Sequence, residues 1–275
     1  MLSKNIVITG GTNGIGLAIV KKLIQLDYNI FVIGKDEKKG NKLVNSINYS
    51  KLDFFKCDLS EKNEITYLIK KLKKIKKIDV LINNAGALYE KRLINDNNVE
   101  KTFSLNHLSY FHLSLGILEN LEQSISSGGG RIINVASDAH KIFNLDLNDL
   151  ENKINYNGWK AYCRSKLLNL YFTYSFNKEL TTKVTCNCLH PGFINSNFGN
   201  NNSSITRSLI KILKNIFAKS PEEGSITTVY LATSENLKNI TGKYFFNLKE
   251  KKSSKQSYNL KIAKEVWRKS LNYIK

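Results

Sequence analysis

The chain has 275 residues, 41% of them hydrophobic, which is enough to bury one sizeable core and excludes a disordered or fibrous class. Lys and Arg number 42 against 23 Asp and Glu, a formal charge of +19, yet the lysines spread along the whole length with no RNA-binding or zinc-finger signature, which argues against dedicated nucleic-acid binding. Four cysteines, Cys57, Cys163, Cys186 and Cys188, lack C-x-x-C spacing, which excludes a secreted disulfide scaffold and suits reduced thiols in the cytoplasm.

Taken in order, NIVITG (5–10) reads as a buried strand and GIGLAIVKKLIQL (14–26) as a helix with apolar residues at helical spacing. NIFVIG (29–34) is a second strand, after which Asp36 caps a helix to about Ile47. KLDFFKC (51–57) leads to a helix over about 61–75, and IDVLINNAG (78–86) is a fourth strand with its turn. A helix over about 98–121 precedes the fifth strand, GRIINVAS (130–137). A helix over about 157–179 then leads to the sixth, KVTCNCLHPG (183–192). Beyond lie a polar loop, an amphipathic stretch ITRSLIKILKNIF (205–217), a helix PEEGSITTVYLATS (221–234) and a last strand at GKYFFNL (242–248). Strands alternating with longer helices predict α/β architecture, a doubly wound parallel sheet in a single domain spanning 1–275. No apolar run approaches the ~18 residues of a membrane span, and a core strand begins almost at once, leaving no room for a signal peptide. A soluble, cytoplasmic protein is expected.

Directly after the first strand stands TGGTNGIG (9–16), with Gly10, Gly14 and Gly16 opening the first helix and Thr12, Asn13 and Ile15 between them. Glycines let backbone approach a pyrophosphate, and the helix N-terminus offers free N–H groups and the positive end of its dipole. Strand and helix flank the turn on the sides a dinucleotide requires, although its G-x-x-x-G-x-G spacing departs from G-x-G-x-x-G. At the end of the second strand an acid would hold the ribose of NAD, whereas a base would pair with the 2′-phosphate of NADP. Gly34 and then Lys35 stand there, so NADP(H) is expected over NAD(H), with Asp36 left to cap its helix.

Tyr-x-x-x-Lys pairs put both side chains on one helical face, and the chain has four: Tyr67/Lys71, Tyr156/Lys160, Tyr162/Lys166 and Tyr174/Lys178. The spacing alone does not choose among them. Together with the glycine turn, however, NNAG (83–86), NVAS (134–137), AYCRSK (161–166) and HPGFINS (190–196), in this order, resemble the short-chain dehydrogenase/reductase family and its Rossmann fold. SLNHLSYFHL (104–113), ASDAHK (136–141), SPEEG (220–224), TGKYF (241–245) and VWRKSL (266–271) are similar to its retinol dehydrogenase-like branch, which acts on lipophilic alcohols and aldehydes.

The resemblance implies roles for the matching positions. Ser137 matches the serine that holds the substrate oxygen, Tyr162 the proton donor or acceptor, Lys166 its cationic neighbour, and Asn106 the asparagine completing a proton relay. Asp58 and Leu59 match an acid–apolar pair beside the adenine, and Asn84, Ala85 and Gly86 match the turn flanking the cofactor. Pro191, Gly192, Ile194 and Ser196 match a segment at the nicotinamide end. Family members separate serine and tyrosine by roughly two dozen residues, and Ser137 to Tyr162 is 25, so the resemblance selects Tyr162/Lys166 and makes the other three pairs decoys. Ala136 departs from the branch, which often has a second serine there.

These residue types suit the chemistry. Hydride transfer to a carbonyl leaves an alkoxide that needs an acid, and the reverse reaction needs the matching base. Tyrosine, with a pKa of about 10, is too weak until a neighbouring ammonium favours the phenolate. The cofactor supplies the hydride, so no metal is expected, and His107, His112, His140 and His190 show no ligand spacing. The helix of Tyr162 is apolar nearly all round, as is the helix over 98–121; in the family these often build an interface, which implies a homodimer or tetramer, with cover from the C-terminal segment as the alternative. Residues 205–217 suit either a peripheral membrane contact, a cover for substrate, or plain packing. The leading expectation is an NADP-dependent oxidoreductase for a lipophilic alcohol and its aldehyde or ketone. The competing ones are a non-catalytic dinucleotide-binding sensor or scaffold and a basic nucleic-acid or membrane-surface binder.

Overall fold

The computed structural model describes residues 3–192 and 220–275. Six parallel strands form the body of the sheet: β1 (Asn5–Thr9), β2 (Asn29–Gly34), β3 (Leu52–Lys56), β4 (Val80–Asn83), β5 (Arg131–Val135) and β6 (Thr185–Leu189). A short parallel β7 (Tyr244–Phe246) and an antiparallel β8 (Lys249–Glu250) complete an eight-stranded sheet in the order 3-2-1-4-5-6-7-8. The sequence reading anticipated β1 to β7 and not β8.

Helices cover both faces, so the strands are apolar on both sides. Ile6, Ile8, Ile30, Val32, Val80 and Ile82 pack beneath α1 (Gly14–Ile24) together with Ile19, Val20 and Leu23. On the other face Val7, Leu81 and Ile132 meet Ile65, Leu68 and Leu72 of α3 (Lys62–Leu72). Between these helices α2 (Glu37–Ile47) starts at Asp36, whose side chain accepts from the Lys39 N–H at 3.0 Å, the expected cap. Each fully buried Val, Leu, Ile or Phe contributes about 1.5–3 kcal/mol, and these two layers supply the bulk of the stabilisation.

The single helix expected over about 98–121 is instead four pieces. They are α4 (Lys101–Phe103), a π-helical turn (Ser104–Leu108), α5 (Ser109–Gly116) and α6 (Leu118–Glu122), broken at Ile117. The long α7 (Gly158–Glu179) matches its expected range, as does α8 (Pro221–Thr233), which opens with a capping box between Ser220 and Glu223. The stretch 205–217 lies outside the described residues.

A C-terminal helix, α9 (Leu260–Ile274), was not expected, and it changes the reading of α7. Trp267 lies 4.8 Å from Phe111 of α5 and 6.0 Å from Phe172 of α7, ring centre to ring centre, while Ala263 and Val266 pack with Leu167, Leu168 and Tyr171. The apolar surface that the sequence reading reserved for a second copy is covered by the chain itself. That removes the reason for expecting a dimer or tetramer through α5 and α7.

The sheet order reverses between β1 and β4, which leaves a crevice at the carboxyl ends of these strands. The glycine turn, the NNAG turn, Ser137 and the Pro191–Gly192 segment all leave the sheet at that end, after β1, β4, β5 and β6 respectively.

Candidate active site

The glycine turn is built for close approach. Gly10 and Gly14 have φ of +68° and +51°, in the left-handed region, and a Cβ on Gly16 would run into the Gly10 carbonyl oxygen. Asn13 caps α1 by accepting from the Gly14 N–H at 2.8 Å, Thr12 lies against Gly34, and half-buried Ile15 packs on the core. The first-turn N–H groups of α1 have no acceptor inside the helix, so the bare turn fits a pyrophosphate.

The NNAG turn is fastened to this loop. The Thr9 hydroxyl accepts from the Asn84 and Ala85 N–H groups at 2.9 and 3.0 Å, and the Asn84 side chain donates to the Thr9 carbonyl at 2.9 Å. The Tyr110 hydroxyl donates to the Ala85 carbonyl at 2.9 Å, a contribution the sequence reading missed. A Cβ on Gly86 would sit 3.2 Å from Asn106 Oδ1 and 3.4 Å from Lys166 Nζ, so this glycine borders the catalytic candidates.

At the other end of the crevice Lys35 Nζ lies 2.5 Å from Asp58 Oδ2. Burial acts to raise the Asp58 pKa, but Lys35 and two hydrogen bonds from Ser60 outweigh it and hold the carboxyl low. The side chain of Leu59, next along the chain, is buried with Ile65 and Leu68.

Four candidates converge at the centre. Ser137, the residue after β5 and Ala136, caps a short 3-10 turn, its Oγ accepting from the Ala139 N–H at 3.2 Å, and its side chain is hydrogen-bonded to the Tyr162 hydroxyl. Lys166 lies one turn along α7 from Tyr162, its Nζ 5.5 Å from the Tyr162 ring centre and donating to the Val135 carbonyl at 3.0 Å. Asn106, at the middle of the π-helical turn, accepts from the Ala87 N–H at 2.9 Å and donates to the Ala87 carbonyl at 2.9 Å and to Ser165 Oγ at 3.0 Å. The widened turn is what aims this side chain at both the β4 loop and α7, and such turns recur at functional sites. Ala136 sits in an apolar pocket with Leu170, Cys188 and Tyr244, so the missing second serine leaves Ser137 intact.

Burial dominates the electrostatics. It pushes the Tyr162 phenol up, with Ser137 opposing, and pushes the Lys166 ammonium down to about 7. Both shifts favour the neutral forms of the two side chains, and a charged ammonium at Lys166 would favour a phenolate at Tyr162.

The other three Tyr/Lys pairs have structural occupations. Tyr67 is 61% exposed with Lys71 over its ring at 4.5 Å, the Tyr156 hydroxyl lies 2.9 Å from the Tyr89 carbonyl and 3.1 Å from Glu100 Oε1, and the Tyr174 hydroxyl meets Ser253 Oγ at 2.7 Å. Pro191 and Gly192 follow β6 at the same end of the sheet, whereas Ile194 and Ser196 lie outside the described residues. The sequence reading also missed Trp159, stacked on Tyr162 at 5.7 Å, for which only its place three residues before the tyrosine was a signal.

Comparison with known proteins agrees with this geometry. Residues 4–206 match the family model for short chain dehydrogenase. Human polyprenol dehydrogenase is 34% identical over 96% of this chain and 83% of its own length; human retinol dehydrogenase 13 is 30% identical over 98% and 84%, and mouse retinol dehydrogenase 12 is 33% identical over 96% and 84%. Among solved structures, an uncharacterized protein from Mycobacterium paratuberculosis superposes with a TM-score of 0.80 at 22% identity, covering 98% of this chain and 93% of that one. The Pseudomonas aeruginosa RhlG/NADP active-site complex gives 0.68 at 23% identity, covering 89% and 94%.

Proposed function

The chain belongs to the short-chain dehydrogenase family, an oxidoreductase acting on CH–OH groups with a nicotinamide dinucleotide, and from that premise we propose that it interconverts a lipophilic alcohol and its aldehyde or ketone using NADP(H). The observation that carries the reading is the Tyr162 hydroxyl bonded to Ser137 with Lys166 one helical turn away. The dinucleotide, when bound, supplies or accepts the hydride.

The rest falls to the chain's own groups. The N-terminus of α1 and the glycine turn would hold the pyrophosphate, and Lys35 would face the 2′-phosphate once released from Asp58. Ser137 uses a lone pair on the Ala139 N–H, which leaves its hydroxyl to orient the reacting oxygen. Tyr162 gives its proton to that oxygen during reduction and takes it back during oxidation, while Lys166 compensates the phenolate. Asn106, bonded to Ala87 and Ser165, holds the loop and helix on either side of Lys166. Trp159, Phe143 and Leu88, which gather around Tyr162, offer apolar surface to a lipophilic substrate.

The names of the similar proteins direct the choice of substrates. Nicotinamide absorbance should be followed with isoprenoid and retinoid alcohols and aldehydes, with NADP(H) and NAD(H) in parallel, for the native chain and Tyr162→Phe. Turnover that survives Tyr162→Phe would remove the proposed acid. A cytoplasmic location is part of the proposal, supported by four buried free thiols.

A further inference from the structure

Behind the serine loop stands a second network that the proton path does not use. His140 is fully buried in the 3-10 turn Asp138–Lys141. Its backbone N–H donates to the Ser137 carbonyl at 3.1 Å, and its ring Nδ1 lies 2.6 Å from the same oxygen. Across the ring, Nε2 lies 3.0 Å from the backbone nitrogen of Ser254. A backbone N–H only donates, so Nε2 must carry a lone pair; a carbonyl only accepts, so Nδ1 must carry the proton. One form meets both demands, the neutral imidazole protonated at Nδ1. Burial favours that neutral form, and the charged or titratable neighbours facing the ring are Asp138 and Lys141 on its own turn, His190 after β6 and Tyr244 of β7, whose ring lies edge-on at 5.3 Å.

The segment that carries Ser254 is itself anchored to the tyrosine helix. The Tyr171 hydroxyl donates to the Gln256 carbonyl at 2.9 Å, the Tyr174 hydroxyl meets Ser253 Oγ at 2.7 Å, and Gln256 Nε2 donates to the Phe143 carbonyl at 3.2 Å. Both tyrosines lie on α7, as do Tyr162 and Lys166. The C-terminal strap therefore bonds to the serine loop on one side and to the helix of the proton donor on the other.

We propose that His140 is a positioning residue for Ser137: its Nδ1-protonated ring ties the serine loop to the C-terminal strap and holds the Ser137 hydroxyl in line with Tyr162. The inference rests on the reading of Ser137 and Tyr162 given above. A carbonyl held by two donors of one residue cannot swing, and the extended Ser137 backbone (φ −160°, ψ 150°) then fixes where Oγ leaves the chain.

Two experiments test it. Nitrogen-resolved histidine spectra of the full chain, with the His140 signal assigned from His140→Asn, require no substrate. They are expected to show the Nδ1–H tautomer at neutral pH; an Nε2–H tautomer or an imidazolium overturns the proposal. Kinetics then use a carbonyl compound that the native chain reduces. His140→Leu is expected to lower kcat about ten-fold with KM little changed. His140→Asn puts an amide donor where Nδ1 stood but leaves the Ser254 N–H without its acceptor, so kcat should lie between those of His140→Leu and the native chain while thermal stability stays reduced. A folded His140→Leu with native kcat, or a His140→Asn as slow as His140→Leu, overturns the proposal. Should His140→Leu not fold, Ser254→Pro decides: φ of −64° accepts proline, the N–H is deleted, and native kcat there overturns it too. Loss of the whole functional reading would show differently, as turnover that persists in Tyr162→Phe while the tautomer spectrum stands.

Discussion

The glycine turn and the serine loop leave the same end of the sheet, yet they are shaped by opposite means. The turn owes its form to what its own residues lack, since side chains at Gly10 and Gly16 would collide with Ala85 and with the Gly10 carbonyl, and to one local cap at Asn13. The loop is shaped from outside: His140 bonds to Ser254, 114 residues further along the chain. Local absence is written in a sequence, whereas distant restraint is not.

Substitutions can break or sharpen that contrast. The largest effect is expected on the imposed side, where Tyr162→Phe should lower kcat by about 10²–10⁴-fold with dinucleotide affinity unchanged, as read by steady-state kinetics and fluorescence titration. Gly16→Ala strikes the local side; the collision with Gly10 should destabilise the chain by about 1–3 kcal/mol and weaken dinucleotide binding with it, measured by denaturation with and without cofactor. Lys35→Asp should lower stability by about 1–3 kcal/mol, because it leaves the largely buried Asp58 facing a second carboxylate, and shift the NADPH-to-NADH ratio of kcat/KM about ten-fold or more toward NADH.

The smallest effect is a slope with pH. Burial depresses Lys166 to about 7, below its ordinary amine value, so between that pH and the amine range the unfolded chain binds more protons than the folded one. Stability from this group therefore rises with pH through that window, and the penalty is complete below about 7. Lys166→Met should raise the melting temperature most at mildly acid pH, with the advantage shrinking as pH rises; an advantage that does not change with pH would show that the ammonium is compensated in the folded chain.

The strands, the order of elements and the glycine turn were legible because apolar periodicity and missing side chains are local signals. Choosing Tyr162 needed the family's serine-to-tyrosine spacing, and the structure gives Tyr67, Tyr156 and Tyr174 other occupations. The π-helical turn was illegible because 98–121 is apolar nearly all round, so the shift in phase that one extra residue brings leaves no mark on its pattern. The α9 helix did leave a signal: Asn259 as its cap and Ala263, Val266, Trp267 and Ser270 at helical spacing, the residues that cover the surface once reserved for a second copy.

The dependence of His140 on Ser254 also has a consequence for biosynthesis. During synthesis the glycine turn and its NNAG neighbour are made long before Ser254, the residue on which the serine loop's anchor depends. A chain cut before Ser254 would lose that anchor together with the helix that covers α5 and α7, so such a truncation should forfeit the fold as well as turnover.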